Sequence, residues 1–489
     1  MNREDHIVHG FKATLVARAI YMLSSALLMF VLARYLLDPD GYGALYWAIG
    51  VLAIIQLFAD LGLSRSVARY LSEYRETDPG QVPYLLKTTV AAKLVLITFV
   101  AYALLFYHEW IATALGEPDA IPFLAAGVVY LVVFSFSTFS QVAFQGFNHL
   151  GYSAIVQAIS GAGRLLFAVV FVLAGLGALG AFFGYIVGYA LAAVVGMGIL
   201  YVGFYSQYDA ADEYEDGLSR RLLEYSVPLT ATQSANVIDK QIDIVLVGLF
   251  LNPAAVAFYT LSKQISDFVL APAESLGFTI SPNFGEQKAA GELAKARRIY
   301  ETSLTNVLLL YIPAAVGLAI VAGPFLTMVF GSDYAAAVPV LQVLAGFVVL
   351  QAITNLTSDS LDYLGRARAR AVAKGATALA NLGLNIVLIP WVGVVGAAIA
   401  TVATHSVYVA VNLYVVHTEL GLNVTRLART TGLICAITGV MAAAVLLVTP
   451  LVSSLLMLFG AITLGAVTWA VLAVLSGLVD PGQVRAVIS

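Results

Sequence analysis

The stretch LLFAVVFVLAGLGALGAFFGYIVGYALAAVVGMGILYVGFY, residues 165–205, contains no Asp, Glu, Lys or Arg. About 20 apolar residues are enough to cross the roughly 30 Å hydrocarbon layer of a bilayer as a helix. With the apolar residues before it, the stretch therefore predicts two membrane spans, at 153–175 and 179–205, joined by an uncharged turn. Backbone groups in lipid must be satisfied within the segment, so spans this continuously apolar are predicted to be helices rather than barrel strands.

The rest of the chain has the same character. Of its 489 residues 60% are hydrophobic and 11% are charged, which excludes a water-soluble protein of this length because its surface could not be covered by polar groups. We predict an all-α, polytopic membrane protein with 14 transmembrane helices. The predicted spans are 11–37, 43–63, 85–107, 121–146, 153–175, 179–205, 223–250, 254–282, 298–322, 334–363, 367–390, 394–417, 428–449 and 453–477.

Basic residues are distributed asymmetrically between the connections of these spans. Alternate connections and the two termini carry Lys and Arg, whereas the other set carries none and is bordered only by Arg34. The basic positions are Arg3, Lys12, Arg65, Arg69, Arg75, Lys87, Arg220, Arg221, Lys288, Lys295, Arg297, Arg298, Arg366, Arg368, Arg370, Lys374, Arg426, Arg429 and Arg485. Positively charged connections stay on the cytoplasmic side, so both termini of this multi-pass cell-membrane protein are predicted to be cytoplasmic.

The first six spans recur in the next six at an offset of about 215 residues. The matches include Leu36-Leu37-Asp38-Pro39 with Phe250-Leu251-Asn252-Pro253, and Gly177-x-x-Gly180-Ala181 with Gly393-x-x-Gly396-Ala397. An even number of spans per copy makes the repeats parallel, related by a pseudo-twofold axis along the membrane normal, with a cavity between them. The predicted domains are an N-lobe (1–205), a cytoplasmic inter-lobe loop (206–222), a C-lobe (223–417) and a C-terminal pair of helices with a tail (418–489).

Ionisable residues inside the predicted spans of the N-lobe indicate a watery interior, because a charge facing lipid costs about 2.5–3.5 kcal/mol or more. Arg18, Lys93 and Arg164 stand against Asp60, a cationic balance that suits a phosphate group. Arg is the better phosphate anchor because its planar fork donates two hydrogen bonds and stays charged. A polar stripe on the fourth span adds Gln141 and Gln145, for which interhelical hydrogen bonding is an equally good interpretation.

The C-lobe has the opposite balance. Lys240 and Lys263 lie among six acidic residues, Asp239, Asp243, Asp267, Glu274, Asp359 and Asp362. A carboxylate left without a cation there would suit a proton or a sodium ion, although Lys263 and Asp267, four residues apart, are also a simple helical ion pair. The sequence shows no metal-ligand cluster, phosphate-binding glycine loop, nucleophile triad or nucleic-acid-binding basic patch, so we expect neither a metal nor an organic cofactor.

Four short motifs resemble one known family. They are Arg34-Tyr-Leu-Leu-Asp-Pro-Asp-Gly-Tyr-Gly, Ala59-Asp60-Leu-Gly-Leu-Ser-Arg-Ser, Phe330-Gly-Ser-Asp-Tyr and Asp362-Tyr-Leu-Gly-Arg. In their order and spacing the chain resembles the polysaccharide and oligosaccharide flippases, which share a superfamily with the lipid II flippase and the multidrug and toxic-compound extruders. The resemblance implies movement of a polyprenyl- or dolichyl-(pyro)phosphate-linked oligosaccharide from the cytoplasmic to the outer face of the membrane by alternating access.

The same resemblance implies roles for individual residues. Arg18 and Arg164, and less closely Lys93, match the arginines that hold the pyrophosphate in the lipid II relative. That relative's sodium site is matched by Asp239 or Asp243, Asn381, Asn385 and Thr401. Asn385 stands where that site has a carboxylate, and one anionic ligand fewer weakens a sodium site. Coupling to sodium, coupling to protons and uncoupled transport all stay open.

Two other functions are alternatives to a flippase. A proton- or sodium-coupled multidrug extruder would have an acidic first lobe, which Arg18, Lys93 and Arg164 argue against. A membrane glycosyltransferase could use Asp38 and Asp40 as an acidic pair, but the repeat partner Asn252-Pro253 indicates a helix-connecting turn, so we expect no enzyme. Expected partners are the lipid-linked oligosaccharide, membrane lipid, and the glycosyltransferases, oligosaccharyltransferase or polymerase of a protein glycosylation or surface polysaccharide pathway.

Overall fold

A computed structural model describes residues 3–209, 211, 213–215 and 217–479. These residues form fifteen α-helices and no β-strand. The helices are α1 Arg3–Val31, α2 Pro39–Asp60, α3 Leu63–Thr77, α4 Val82–Ala114, α5 Ile121–Gly146, α6 Leu150–Phe171, α7 Gly177–Gly203, α8 Leu218–Phe250, α9 Pro253–Ala289, α10 Leu293–Phe325, α11 Val338–Tyr363, α12 Ala367–Val392, α13 Val394–Leu420, α14 Val424–Val448 and α15 Leu455–Leu475.

Many of these helices could cross a membrane. Within the described residues, eleven helical segments are long and apolar enough to do so, and one of them, Leu150–Gln207, contains both α6 and α7. The prediction of an all-helical, multi-pass membrane protein is therefore confirmed. Each of the 14 predicted spans overlaps a helix, but the polar helices α8 and α9 are not among the eleven segments. The count of 14 crossings stays a prediction.

Helix α3 was not anticipated from the sequence. It follows a tight turn in which Leu61 (φ 41°) and Gly62 (φ 72°) are left-handed, so α2 ends and the chain changes direction. A Cβ at Gly62 would lie 2.9 Å from the Ser226 carbonyl oxygen, so this turn also needs glycine for its close approach to α8. Helix α3 is amphipathic and buries apolar side chains such as Val67 and Leu71.

The chain divides into two compact units, residues 1–257 and 258–489. The first contains α1 to α8. The second has an apolar core that includes Leu304, Tyr311, Val348 and Val416, contributed by α10, α11 and α13. The lobe boundaries near 205 and 223 stay a prediction.

The described residues of the connecting segment, 205–209, 211, 213–215 and 217, include several that contact the turn between α3 and α4. The Ala211 amide donates to the Gly80 carbonyl oxygen at 3.0 Å. The Gln81 side chain donates to the Glu213 carbonyl oxygen at 2.9 Å and accepts from the Glu215 amide at 3.1 Å. The described part of this predicted cytoplasmic loop is therefore held by backbone-directed hydrogen bonds.

Candidate substrate-binding site

Helices α6 and α7 approach each other closely because glycines line their contact. A Cβ at Gly184 would lie 2.2 Å from the Ala168 backbone nitrogen, and a Cβ at Gly188 would lie 2.5 Å from the Arg164 backbone nitrogen. Since real Cβ atoms do not approach other atoms this closely, only glycine permits the contact. Gly180, Gly184 and Gly188 recur at every fourth position, which is the small-residue spacing that favours close helix packing in membranes. The contact places Arg164 between the two helices.

Arg164 is buried and is surrounded by aromatic rings. Only 7% of the Arg164 surface is exposed. The Cζ atom lies 5.3 Å from the ring centroid of Tyr21, and 5.2 Å from the centroids of both Tyr185 and Tyr189. We call these three residues the tyrosine cage. They come from α1 and α7, so the cage fixes the guanidinium from two helices besides its own.

The hydrogen bonds of Arg164 go to uncharged oxygens. Its Nε donates to the Ser160 carbonyl oxygen at 3.2 Å and its Nη2 donates to Ser25 Oγ at 3.4 Å. No carboxylate of the described residues forms an ion pair with it. An arginine over an aromatic face gains about 2 kcal/mol when desolvated, but the rings leave its net charge in place. The site is therefore suited to an anionic ligand with acceptor oxygens.

The cage tyrosines are themselves supported. The Tyr185 hydroxyl lies 2.9 Å from the Tyr46 hydroxyl on α2, and either can donate. The Tyr189 ring packs edge-on against Phe134 at 5.0 Å between centroids and against Tyr130 at 5.7 Å. Helices α2 and α5 thus hold the cage from outside.

Lys93 has a different environment. It is fully buried and forms an ion pair with Asp60, and its Nζ donates to Ser64 Oγ at 3.0 Å. Ser64 also donates to the Asp60 carboxylate at 2.5 Å. This cluster links α2, α3 and α4, and the Asp60 carboxylate balances the lysine charge. The motif containing Asp60 and Ser64 has a structural explanation, and the assignment of Lys93 to substrate stays a prediction.

The remaining predicted residues of the first repeat lie at the surface or in helix contacts. Arg18 is exposed on α1, three residues before Tyr21. Gln141 donates to Ser137 Oγ at 3.3 Å, and Gln145 donates to Ser153 Oγ at 3.5 Å. The latter bond joins α5 to α6, which is the interhelical role that was the alternative for these amides.

The predicted cation ligands and lysines of α8 and α9 vary in burial. Asp243 is buried, Asp239 is half-buried and Lys240 is exposed, all on α8. On α9 the Lys263 Nζ lies 5.6 Å from the Tyr259 ring centroid. The side chains of Glu274 and Asp359 lie outside the described residues.

In the second unit, Asn381 and Asn385 form a chain of amides. Both are buried, and Asn385 Nδ2 donates to the Asn381 carbonyl oxygen at 2.9 Å and to its Oδ1 at 3.0 Å. Asn381 Nδ2 donates to Thr404 Oγ1 at 3.4 Å. Thr401 instead donates to the Ala397 carbonyl oxygen and lies 3.2 Å from the Tyr259 hydroxyl. Thr404, one turn beyond Thr401, therefore accepts a hydrogen bond from the asparagine pair.

Sequence reasoning missed the tyrosine cage. The available signals were Gly180, Gly184 and Gly188 at intervals of four, which predict a close helix contact, with Tyr185 and Tyr189 also four apart on the same helix. Tyr21 had no such signal, because its position depends on how α1 packs on α6.

Two family profiles match the chain. One, described as "Polysaccharide biosynthesis protein", matches residues 7–275. The other, described as MatE, matches residues 228–388.

Several relatives carry names from glycan biosynthesis. The chain is 24% identical over 376 residues to the "Probable low-salt glycan biosynthesis flippase Agl15" of Haloferax volcanii, covering 76% of this chain and 75% of the relative. It is 23% identical over 371 residues to the "Lipopolysaccharide biosynthesis protein WzxC" of Escherichia coli, covering 73% and 69%.

Solved structures share the fold. The lipid II flippase MurJ in an inward closed conformation has a TM-score of 0.77 at 15% identity, covering 99% of this chain and 100% of that one. An inward-facing multidrug resistance MATE family transporter of the MOP superfamily has a TM-score of 0.70 at 14% identity, covering 85% and 99%. These likenesses confirm the all-helical membrane fold expected from the sequence.

Proposed function

This chain belongs to the polysaccharide biosynthesis protein family, and from that membership we propose that it is a flippase for a lipid-linked oligosaccharide. The proposed substrate is a polyprenyl- or dolichyl-(pyro)phosphate carrier with its glycan, moved from the cytoplasmic to the outer face of the cell membrane. The names of the relatives support this substrate class, since they include a glycan biosynthesis flippase and a lipopolysaccharide biosynthesis protein.

One observation carries the proposal: a buried arginine that keeps its charge. The carrier's phosphate is the anionic part of the substrate, and the guanidinium of Arg164 is held by the tyrosine cage. A phosphate oxygen would complete its hydrogen bonding with charge-assisted donors, about twice as strong as neutral ones. Arg18, exposed three residues from Tyr21, would meet the same head group from the watery side.

We further propose the architecture on which transport depends. Fourteen spans form two parallel six-helix repeats and a C-terminal pair, with both termini in the cytoplasm. Alternating access would present the glycan to an oligosaccharyltransferase or polymerase outside, after glycosyltransferases have assembled it inside. To carry the head group across, the cationic site would face first the cytoplasm and then the outer surface.

The second candidate, a multidrug extruder, is favoured by the MatE match over residues 228–388. The Arg164 site argues against this candidate. A guanidinium without a carboxylate partner repels cationic drugs, which are the substrates of such an extruder. The relatives are flippases and transporters, not enzymes, which supports a transport function without chemistry on the substrate.

Transport assays on Arg164 test the proposal. In proteoliposomes, Arg164→Ala should lower the flipping rate of a lipid-linked oligosaccharide about 10- to 100-fold, since a hydrogen bond to a charged group contributes about 1.5–3 kcal/mol. Arg164→Lys should restore only part of the rate, because a point charge lacks the fork geometry. The control is Arg220→Ala, which removes an exposed arginine paired only with Glu224 among the described residues. A folded Arg164→Ala protein that flips at the native rate would refute the proposal.

The coupling ion is a separate proposal. We propose that sodium binds weakly, with the ligands Asp239 or Asp243, Asn381, Asn385 and Thr401. The alternative is that transport is coupled to protons carried by Asp239 and Asp243. Amide donation from Asn385 to Asn381 Oδ1 supports the weaker site, because that oxygen already accepts a hydrogen bond. Asn385→Asp should therefore increase stabilisation of the purified protein by sodium. If neither the native protein nor the variant responds to sodium in a thermal unfolding assay, the sodium site is excluded.

A further inference from the structure

Tyr185 connects the proposed phosphate anchor to helix α2. Its ring lies against the Arg164 guanidinium, with 5.2 Å between the centroid and Cζ, and its hydroxyl lies 2.9 Å from the Tyr46 hydroxyl. Tyr185 is 5% exposed and Tyr46 is half-buried, so this bond is shielded from water on the Tyr185 side. One buried side chain therefore contacts the cation with its ring and α2 with its oxygen.

Helix α2 in turn packs tightly on α8 through the face that carries Trp47. Trp47, the residue after Tyr46, donates from Nε1 to the Val245 carbonyl oxygen at 3.4 Å. A Cβ at Gly248 on α8 would lie 2.2 Å from the Trp47 ring, and a Cβ at Gly43 would lie 1.7 Å from the carbonyl oxygen of Pro253, the first residue of α9. Contacts this close leave no room for α2 to shift without displacing α8 and the start of α9.

The other cage residue on α7 offers a contrast. Tyr189 also lies 5.2 Å from the guanidinium, but its support comes from the rings of Phe134 and Tyr130. Among the described residues its hydroxyl has no hydrogen-bond partner. The two tyrosines thus share a ring contact with Arg164 and differ in their hydroxyl contacts.

We infer that Tyr185 is a positioning residue for Arg164 and that the Tyr185–Tyr46 hydrogen bond couples anion binding at Arg164 to the packed pair α2 and α8. The inference rests on the proposed function, since it assumes that Arg164 binds the carrier's phosphate. An anion that draws the guanidinium toward itself changes the ring contact of Tyr185, and the hydroxyl bond passes that change to α2. Binding and transport then depend on different atoms of one residue.

The test separates binding from transport. Tyr46→Phe and Tyr185→Phe each remove one oxygen and keep the rings, so affinity for farnesyl diphosphate, measured on the purified protein, should stay within about twofold of native. The flipping rate of the lipid-linked oligosaccharide in proteoliposomes should fall about tenfold in each variant. Because both remove the same bond, the double variant should be no slower than either single variant. Tyr102→Phe is the control, because it removes a tyrosine hydroxyl from an exposed position of α4 outside the site, and it should bind and flip like the native protein.

Each outcome is decisive. Native flipping rates in Tyr46→Phe, or a double variant whose loss is the product of the two single losses, would overturn the coupling. Tyr185→Leu removes the ring and should weaken farnesyl diphosphate binding about tenfold, and unchanged binding would overturn the positioning role. Failure of the proposed function looks different, because Arg164→Ala would then bind farnesyl diphosphate as tightly as the native protein.

Discussion

Two buried cations in the first unit, Lys93 and Arg164, are held in opposite ways. Lys93 is 0% exposed and pairs with the Asp60 carboxylate, whereas Arg164 is 7% exposed and is held by tyrosine rings and uncharged oxygens. The ammonium of Lys93 is a compact, strongly hydrated charge that requires a carboxylate once it leaves water. The delocalised guanidinium is more weakly hydrated and stacks on aromatic faces. Burial alone therefore does not identify a ligand-binding cation; the kind of partner does.

The largest expected difference between the two cations is in stability. Lys93→Met leaves the Asp60 carboxylate without its cation and should destabilise the protein by about 2–4 kcal/mol, a value lowered because that side chain is 27% exposed. Arg164→Met leaves no carboxylate behind and should destabilise the protein less, while it lowers the flipping rate as Arg164→Ala does. The thermal unfolding midpoints of the purified variants measure this difference.

The control is the double variant Lys93→Met/Asp60→Asn. Replacing both members of a buried pair is often close to neutral, so the double variant should recover most of the lost stability. If Lys93→Met is as stable as the native protein, the ion pair does not contribute as the comparison requires.

A smaller effect is expected from the glycines that position Arg164. Gly184→Ala places a Cβ 2.2 Å from the Ala168 nitrogen, which forces α6 and α7 apart and should cost about 1–3 kcal/mol. Transport should fall with it, because Arg164 lies at that contact, whereas the Lys93 cluster should be unaffected. The control is Gly198→Ala on the same helix, where a Cβ would meet no atom within 4 Å. Equal stability of both variants would show that the contact is not tight.

The smallest effect concerns a third cation, Arg221, which is 41% exposed and pairs with Glu73 at 2.6 Å and Glu215 at 3.0 Å. Ion pairs in contact with water contribute about 0.2–1 kcal/mol, so Arg221→Ala should destabilise the protein by no more than that. Arg220→Ala, which loses only a pair with Glu224, is the control. A loss as large as that of Lys93→Met would break the comparison.

The Glu215 carboxyl gives the Arg221 effect a pH dependence. Its pKa lies below the ordinary value of 4.5, chiefly because Tyr74 donates a hydrogen bond to it and also because Arg221 lies beside it. A depressed pKa contributes stability above the unfolded value of 4.5 that is lost as pH falls through the folded value. The stability difference between native protein and Arg221→Ala should therefore shrink below pH 4.5 in unfolding measurements across the acid range.

Much of the helical architecture could be predicted because it follows from the length and apolarity of segments. The predicted spans at 121–146 and 367–390 correspond to α5 (Ile121–Gly146) and α12 (Ala367–Val392) within two residues at either end. Helix α3 escaped prediction because it is amphipathic and too polar to stand out as a span. Its start depends on the left-handed pair Leu61 and Gly62.

The site was harder to predict than the helices. Arg164 and Lys93 look alike in sequence, because each is a cation within a predicted apolar span. What distinguishes them is their partners, 33 positions away for Asp60 and as far as 143 for Tyr21, which only the packing of helices brings near. In the second unit the hydrogen bond between the side chains of Asn381 and Asn385 follows from their spacing of four. That Asn381 donates to Thr404 depends on how α13 is rotated against α12.

The docking of the connecting segment has a consequence for how the polypeptide could be divided. Gln81 and Gly80 hold the backbone of Ala211, Glu213 and Glu215, so these residues are bound to the turn between α3 and α4 before the chain enters α8. If the protein is expressed as two separate fragments, they should therefore assemble best when the break lies after Glu215, because the docked residues then stay on the first fragment. With a break before Tyr205, the free N-terminal end of the second fragment would have to bind the turn between α3 and α4.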